Sequence, residues 1–311
     1  MRLTGFLAIA AAASSAAFAG PMSGSRVKTR SCSASFKNTV FNSGVNSEPD
    51  INGRFDTFPL PKKKQKERDI YIYMCVYIQI THKSHTVGFT LNNATGGDAN
   101  LIANQIRMVV TADDIQAGVD LVTGPNPPAY LQLLNEPDGG FYRQAVLTPQ
   151  EAVAALQPFL TASTSTQYLS PAPAYPESNW LPEFFAACGD ACGTDRVPII
   201  LAYVYNPDAS GAIAAIQAVM GQFPGRTIWI TELSPASSAD QGCALDAAGV
   251  VDWMDVVVGW AAQQEVIERV FWNPGDYGTL YPDDPDKCNP SLTNTDGTAT
   301  ALLEAYGSIC A

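Results

Sequence analysis

The chain has 311 residues, of which 46% are hydrophobic and 15% are charged, and its formal net charge is −12. That length suits one large domain with a substantial core of its own. Residues 84–311 hold 6 Lys and Arg against 25 Asp and Glu, so this part carries 6 − 25 = −19. So acidic a body argues against nucleic acid as a partner and is compatible with a neutral polysaccharide.

The first 20 residues have the features of a secretory signal peptide. Arg2 supplies the positive charge, residues 6–13 form the apolar stretch, and Ala17-Phe18-Ala19 is a small-residue cleavage site. A membrane anchor is the alternative, but the run is too short to span a bilayer comfortably. We therefore expect a secreted, extracellular or cell-wall-associated protein with no membrane partner, whose mature domain covers residues 21–311.

Secretion also decides how the 7 cysteines are interpreted. In an oxidising compartment they indicate disulfides rather than metal ligands or redox centres. Cys188 and Cys192 are four residues apart, and no His follows His85 to complete a zinc site, so a local disulfide is expected. Connectivity cannot be deduced from sequence alone; the pairing we favour for the rest is Cys243 with Cys288 and Cys32 with Cys310.

The front of the chain is the least regular part. Residues 37–43 (KNTVFNS) predict a first strand and residues 86–93 (TVGFTLNN) a second. Between them, residues 55–83 combine a basic cluster and a β-prone run, and the two histidines, His82 and His85, lie at the end of this segment and just after it. Three interpretations of this segment are a heparin-binding or localisation patch, an exposed edge strand and a flexible insertion. Our hypothesis is a fourth: an anomalous insertion that comes from a translated intron. Such a run on a secreted protein would be an aggregation hazard.

Short apolar runs then alternate with helical stretches, as repeated βα units do. The predicted strands start 37, 30, 30 and 42 residues apart between residues 130 and 269. A (β/α)8 barrel averages about 31 residues per unit, so the sequence predicts an α/β fold, a single-domain (β/α)8 TIM barrel. Its candidate strands are 105–110, 130–135, 167–170, 197–203, 227–231 and 269–273.

Helix signals separate these strands. Thr148-Pro149-Gln150-Glu151 reads as a capping box with Pro at the first helical position. Apolar stripes follow at helical spacing in two later segments, where they predict core packing. Their members are Ile213, Ile216, Val219 and Met220 in one and Val250, Met254, Val257, Val258 and Ala261 in the other.

Two glutamates occupy the carboxyl ends of predicted strands, where barrel enzymes carry their functional residues. Glu136 follows strand 130–135 and Glu232 follows strand 227–231. Cleaving a glycosidic bond needs a proton for the leaving oxygen and a second carboxylate for the sugar cation. Asn135 could hydrogen-bond the sugar 2-hydroxyl. The alternative for Glu136 is a surface residue that closes a strand before a Pro-Asp-Gly-Gly turn.

Four aromatic residues fall at or after predicted strand ends, where a flat ring could stack on a sugar. They are Trp180, Tyr203, Tyr205 and Trp272. Core packing is the alternative for each. We expect no cofactor and no metal, and a monomer that binds β-glucan. A serine hydrolase is excluded for want of a histidine base in the ordered part of the chain.

Several motifs occur together in a recognisable order: LLNEPD, YLSPAPAYPESNWLPEFFAACGDAC, VPIILAYVY, IWITELS and RVFWN. Over residues 105–310 they resemble the fungal Asl1-like glycosyl hydrolases, glycoside hydrolase family 128 of clan A. The resemblance implies that Glu136 is the general acid/base, that Glu232 is the nucleophile, and that a retaining enzyme, expected to be endo-acting, cleaves β-1,3-glucan of fungal cell walls.

The chain departs from the family pattern at a few positions. Tyr203 stands where the family has His, Asn273 stands where it tends to have an aromatic residue, and the strand at 86–93 offers only Phe89 as an aromatic residue. These departures keep two alternatives open. One is a non-catalytic glucan-binding wall protein on a degenerate barrel, and the other is a clan A enzyme that acts on another β-glycan.

Overall fold

The computed structural model describes residues 106–140, 144–236, 245–273, 290 and 300–309, together with two short strands in the front part of the chain. Eight strands belong to one sheet. In chain order they are β1 Lys37–Val40, β2 Phe89–Thr90, β3 Ile106–Val109, β4 Tyr130–Leu133, β5 Gln167–Leu169, β6 Ile199–Tyr205, β7 Thr227–Ser234 and β8 Ile267–Trp272.

The spatial order of the strands is β1-β8-β7-β6-β5-β4-β3-β2, and all the described pairings are parallel. Chain neighbours therefore lie side by side from β2 to β8, and β1 joins β8. Parallel neighbours need a crossover, and helices supply it here. Within the described ranges no pairing joins β1 to β2. The structure thus gives a parallel α/β sheet wound in one direction.

Six α-helices connect or follow the described strands. They are α1 Ile115–Thr123, α2 Pro149–Thr161, α3 Trp180–Cys188, α4 Ala209–Gln222, α5 Ala247–Ala261 and α6 Ala301–Ser308, with short 3-10 helices at Ala112–Asp114 and Gly189–Cys192. The start of α2 has the predicted capping box, in which Glu151 N donates to Thr148 Oγ1 at 3.2 Å and Thr148 N donates to Glu151 Oε2 at 2.8 Å. Each bond satisfies a backbone donor that lacks an intrahelical partner.

The sheet has a face that packs against the helices, the outer face, and an opposite face, the inner face. On β6 the two faces alternate strictly, since Ile200, Ala202 and Val204 join the cluster with the helices and the residues between them do not. Each large apolar side chain buried in this way stabilises the fold by about 1.5–3 kcal/mol. The inner-face cluster consists of Ile106, Leu169, Ala172, Ile199, Leu201, Tyr203, Trp229 and Phe271.

The described strands confirm the predicted positions, with shifted bounds. The strand predicted at 197–203 runs over Ile199–Tyr205, and the one predicted at 227–231 continues to Ser234, so Glu232 lies inside β7 rather than after it. The Cys188–Cys192 disulfide is present. The signal peptide, the segment 55–83 and the other two predicted disulfides lie outside the described residues.

Candidate active site

Glu136 lies just beyond β4, where the backbone leaves its extended form. Leu134 and Glu136 both have positive φ, 54° and 41°. For a residue with a side chain, this left-handed region costs about 1–3 kcal/mol, and such strain clusters at functional sites. Two backbone bonds hold the segment, because Asn135 N donates to Val110 O at 3.1 Å and Glu136 N donates to Ala172 O at 2.9 Å. The half-buried carboxyl group of Glu136 is thereby fixed at the end of the sheet.

A β-bulge in β7 places Glu232 on the inner face. Trp229 belongs to the inner cluster and Ile230 to the outer one, so strict alternation would turn Glu232 toward the helices. The register against β6 instead gains an extra residue, and Glu232 pairs with the inner-face Tyr203. Leu233 returns to the outer cluster. The inserted residue thus re-aims the carboxylate, which is a known use of bulges beside active sites.

Residues from β6 and from the end of β8 meet the Glu232 carboxylate. Tyr205 Oη donates a short hydrogen bond to Glu232 Oε2. Asn273 Nδ2 donates to the same Tyr205 oxygen and lies 3.4 Å from Glu232 Oε2. The backbone of Asn273 is anchored in turn, because its N–H donates to Leu233 O at 3.0 Å. These donors stabilise the ionised form of Glu232.

Tyr203 links the inner face to Asn135. Gln132 Nε2 donates to Tyr203 Oη at 2.7 Å, and Tyr203 Oη donates to Asn135 Oδ1 at 3.0 Å. Tyr203 and Gln132 are both fully buried. The chain of bonds fixes which end of the Asn135 amide accepts from Tyr203 and turns its donor end away from that hydroxyl.

Two further side chains organise the loop that carries Glu136. Gln144 Nε2 donates to Glu136 Oε2 at 2.7 Å. Asp138 accepts from Ala174 N at 2.6 Å and from Tyr175 N at 3.2 Å, which ties the loop after β4 to the loop after β5. The Asp138 carboxylate therefore acts as a clamp between two loops at the carboxyl ends of neighbouring strands.

The two glutamates are electrostatically coupled. Burial raises the pKa of Glu232 to about 8, the charge of Glu136 adds to the rise, and hydrogen bonds from Tyr205 and Asn273 oppose it. Burial also raises the pKa of Glu136, while the bond from Gln144 lowers it. The two carboxyl groups therefore titrate as a coupled pair, in which the charge of one disfavours ionisation of the other.

The structure brings five of the seven predicted site residues together. Glu136, Glu232, Asn135, Tyr203 and Tyr205 form one group, since the charges of both glutamates raise the pKa values of both tyrosines, after burial as the main cause. The tyrosines are parts of the site's hydrogen-bond network, and Tyr203 is 1% exposed, so its ring is closed to a sugar. Stacking on Tyr203 is therefore corrected to a supporting role.

The two predicted tryptophans belong to the core, which corrects the expectation that they stack on a sugar. Trp272 has no exposed surface, its Nε1 donates to Pro290 O at 2.6 Å, and its ring meets Trp253 edge-on. Trp180 stacks on Phe184 and is 9% exposed. Both rings lie on the helix side of the sheet. Alternation along β8 places Trp272 there, and the packing of α3 places Trp180 there. Tyr175, in the loop after β5, differs from these two tryptophans because it is 51% exposed and its side chain is open to solvent.

Sequence reasoning missed the amides that hold the carboxylates. Gln132 follows an apolar residue within a strand and reads as an ordinary polar position, Gln144 lies in a loop without a motif, and Asn273 drew notice only as a departure from the family pattern. Their partners are 8 to 71 positions away in the chain. No local signal could have identified them.

Over the described part of the chain, no group of three His, Cys, Asp or Glu side chains is placed to hold a metal ion. In the same ranges, no helix combines the length and the apolar character that crossing a membrane requires.

Comparison with known proteins places the chain in a family. The family model "Glycosyl hydrolase catalytic core" matches residues 89–306. No curated protein sequence matches the chain.

Three similar solved structures belong to glycoside hydrolase family 128. One is a subgroup I endo-β-1,3-glucanase from Amycolatopsis mediterranei in complex with laminaritriose, with a TM-score of 0.61 at 17% identity over 88% of this chain and 99% of that one. Another is a subgroup V exo-β-1,3-glucanase from Cryptococcus neoformans, with a TM-score of 0.56 at 19% identity over 71% of this chain and 88% of that one.

The third similar structure is a subgroup VII oligosaccharide-binding protein from Cryptococcus neoformans, with a TM-score of 0.54 at 12% identity over 91% of this chain and 98% of that one. At these identities the likeness concerns the fold. The family model and these structures confirm the resemblance stated from the motifs: the chain belongs to the glycosyl hydrolase catalytic core family and to glycoside hydrolase family 128 within it.

Proposed function

We propose that the protein is a secreted retaining glycoside hydrolase that cleaves β-1,3-glucan of fungal cell walls, on a sheet that closes into a (β/α)8 barrel. The observation that carries the proposal is the pair of coupled, half-buried carboxyl groups of Glu136 and Glu232 at the carboxyl ends of β4 and β7. One proton and one negative charge on such a pair is the state that double displacement needs.

In the first step, Glu136 gives its proton to the glycosidic oxygen and the ionised Glu232 attacks the sugar carbon, so that a covalent glycosyl ester forms and the leaving chain departs. In the second step, Glu136, now ionised, takes a proton from water, the water oxygen attacks the same carbon, and the ester bond to Glu232 breaks. Two inversions retain the configuration.

The surrounding hydrogen bonds support this division of roles. Tyr205 and Asn273 direct donors at Glu232, which favours its negative charge against the larger, opposite effect of burial. Burial raises the pKa of Glu136 and the Asp138 carboxylate adds to the rise, which favours the proton, whereas the bond from Gln144 opposes it. Asn135 has its acceptor end engaged by Tyr203, so we propose that its amide donor binds the sugar 2-hydroxyl.

Reducing ends released from β-1,3-glucan, β-1,4-glucan and mannan test the reaction and its substrate. The chain is assayed with and without residues 55–83, beside the variants Glu136→Gln and Glu232→Gln. We expect cleavage of β-1,3-glucan and losses of about 10²–10⁴-fold or more in both variants. Glu183→Gln, an exposed glutamate on α3, is the matched control and retains activity.

Azide assigns the two roles. With an activated aryl β-laminaribioside as substrate, Glu136→Ala in azide yields the β-glycosyl azide, because the covalent ester still forms and azide replaces water. Glu232→Ala yields the α-glycosyl azide, because azide attacks the substrate directly. The opposite pair of products would exchange the roles.

The second candidate is a non-catalytic oligosaccharide-binding protein, as the subgroup VII neighbour is described. It is favoured by the buried amide that stands beside Glu232, since Asn273 can hold a sugar without reacting. Binding of β-1,3-glucan without cleavage of any of the three polymers, by either form of the chain, would establish this candidate and exclude the first.

A further inference from the structure

Asn273 has a feature that its bonds to Glu232 and Tyr205 leave unexplained. Its side chain is 6% exposed, and its Oδ1 is buried with no hydrogen-bond partner anywhere in the described ranges. A buried acceptor without a donor costs about as much as a lost hydrogen bond, so each instance calls for an explanation.

The orientation of this amide follows from its neighbours. Tyr205 gives its proton to Glu232, so the Tyr205 oxygen can only accept from Asn273. A reversed amide would turn Oδ1 toward two oxygens that have no proton to offer. Nδ2 therefore faces Tyr205 and Glu232, and Oδ1 is the end that faces away from both.

The place of Oδ1 points to its missing partner. Oδ1 and Nδ2 share one planar amide carbon, and Nδ2 lies 3.4 Å from Glu232 Oε2, so the unpartnered oxygen is within a few ångströms of the proposed nucleophile. A sugar that reacts with Glu232 must bring its ring hydroxyls to the same place. In a β-1,3-linked chain that ring has free hydroxyls at C2, C4 and C6.

We propose that Asn273 is a specificity-determining residue whose Oδ1 accepts a hydrogen bond from the C4 or C6 hydroxyl of the sugar ring bound beside Glu232. This inference rests on the proposed function, in which Asn135 binds the C2 hydroxyl. One planar amide then performs two tasks: its nitrogen holds the Tyr205–Glu232 pair and its oxygen recognises the ring that Glu232 attacks.

Deoxygenated substrates test the acceptor directly. The parent is 2,4-dinitrophenyl β-laminaribioside, and three analogues each lack the hydroxyl at C2, C4 or C6 of the glucose that carries the dinitrophenyl group. For the wild type, kcat/KM falls about 10- to 100-fold for the C4 or the C6 analogue, as expected when a buried acceptor loses its donor. For Asn273→Ala the same analogue is cleaved within about threefold of the parent.

Two comparisons isolate the effect. Each ratio compares two substrates on one enzyme, so the intrinsic reactivity of a deoxy sugar cancels between wild type and variant. The C2 analogue is the internal control, because its penalty is the same in both. Gln263→Ala removes another side-chain amide, in the turn just after α5, where Nε2 donates to Gly259 O at 2.9 Å, and it keeps the wild-type ratios.

Asn273→Asp separates the two tasks and serves if the alanine variant fails to fold. It keeps an oxygen at the accepting position, so the penalty for the C4 or C6 analogue persists, whereas the added charge beside Glu232 moves the basic limb of the pH profile upward. Loss of the penalty in Asn273→Asp, or equal ratios in wild type and Asn273→Ala for all three analogues, overturns the inference while cleavage of the parent supports the hydrolase. A wild type that cleaves neither the parent nor β-1,3-glucan overturns both.

Discussion

Replacing Tyr203 by Phe tests whether the buried hydrogen-bond chain holds the site. The hydroxyl of Tyr203 accepts from Gln132 at 2.7 Å and donates to Asn135 at 3.0 Å. The change removes one oxygen and leaves the ring in the inner cluster. Tyr203→Phe should therefore report on the polar bonds rather than on packing.

The magnitude follows from what the missing oxygen leaves behind. Loss of a typical bond contributes about 1 kcal/mol, and a buried donor left without an acceptor adds about 1–3 kcal/mol. Gln132 is 0% exposed, so water cannot replace the hydroxyl there, whereas Asn135 is only half-buried. We expect Tyr203→Phe to lower the free energy of unfolding by about 2–4 kcal/mol.

Tyr168 provides the matched control. It is equally buried, but its hydroxyl has no hydrogen-bond partner in the described part of the chain. Deleting an unpaired buried hydroxyl removes a desolvation cost, so Tyr168→Phe should leave the free energy of unfolding unchanged within about 0.5 kcal/mol or raise it. The ring contacts with Phe159 and with the Arg196 guanidinium remain available to Phe.

Urea unfolding measures the difference, with equal m-values as the condition for comparing midpoints. The double variant Gln132→Leu with Tyr203→Phe replaces both buried partners by apolar groups and should recover part of the loss. If Tyr203→Phe and Tyr168→Phe agree within about 0.5 kcal/mol, the bonds to Tyr203 contribute nothing measurable and the reasoning is refuted.

Four further predictions follow from the site and from the loops around it. The kcat/KM of the hydrolase should fall above a pKa of about 8, because beyond it both carboxyl groups are ionised and the leaving oxygen receives no proton. Glu136→Gln removes the neighbouring charge and should lower the pKa of Glu232. The resonance of a 13C-labelled Glu232 side chain, followed against pH, measures that change. Because the folded chain holds that proton more tightly than the unfolded chain, the free energy of unfolding also declines as the pH rises toward 8. Gln144→Ala should raise the pKa of Glu136 and lower kcat by about 10-fold, and an unchanged pH–rate profile would contradict the bond at 2.7 Å. Replacing Cys188 and Cys192 by Ser should cost about 2 kcal/mol of unfolding free energy because the loop is short, and a thermal midpoint that does not move would count against the loop-closure account.

The sequence determined the parallel α/β architecture, because its signals are local. Apolar runs at regular spacing located β3 to β8, and the Thr148–Glu151 capping box located the start of α2. These patterns depend on residues within a few positions of one another, as propensity and periodicity do. The Cys188–Cys192 disulfide was predictable for the same reason, since its two cysteines are four residues apart.

The positions of Glu136 and Glu232 could also be predicted, from the ends of the predicted strands. The direction in which their side chains point could not be predicted. Alternation along β7 predicts that Glu232 faces the helices, and only the bulge against β6 turns it inward beside Tyr203. Likewise, the left-handed conformation at Leu134 and Glu136 is held by bonds to Val110 and Ala172, which lie just beyond the ends of β3 and β5. A sequence pattern has no access to such distant backbone partners.

Tertiary structure also decided which polar and aromatic residues serve the site. Trp180 and Trp272 fit the motif of a sugar platform but pack on the helix side, whereas Asn273 lies against Glu232. The sequence thus specified the strands and the two carboxylates, because the patterns that identify them lie within a few neighbouring residues. The environment of those carboxylates, and so their pKa values, arises from residues far apart in the chain. Glu136 influences Glu232, 96 positions away, and Tyr205, 69 positions away, and only the folded sheet brings them together.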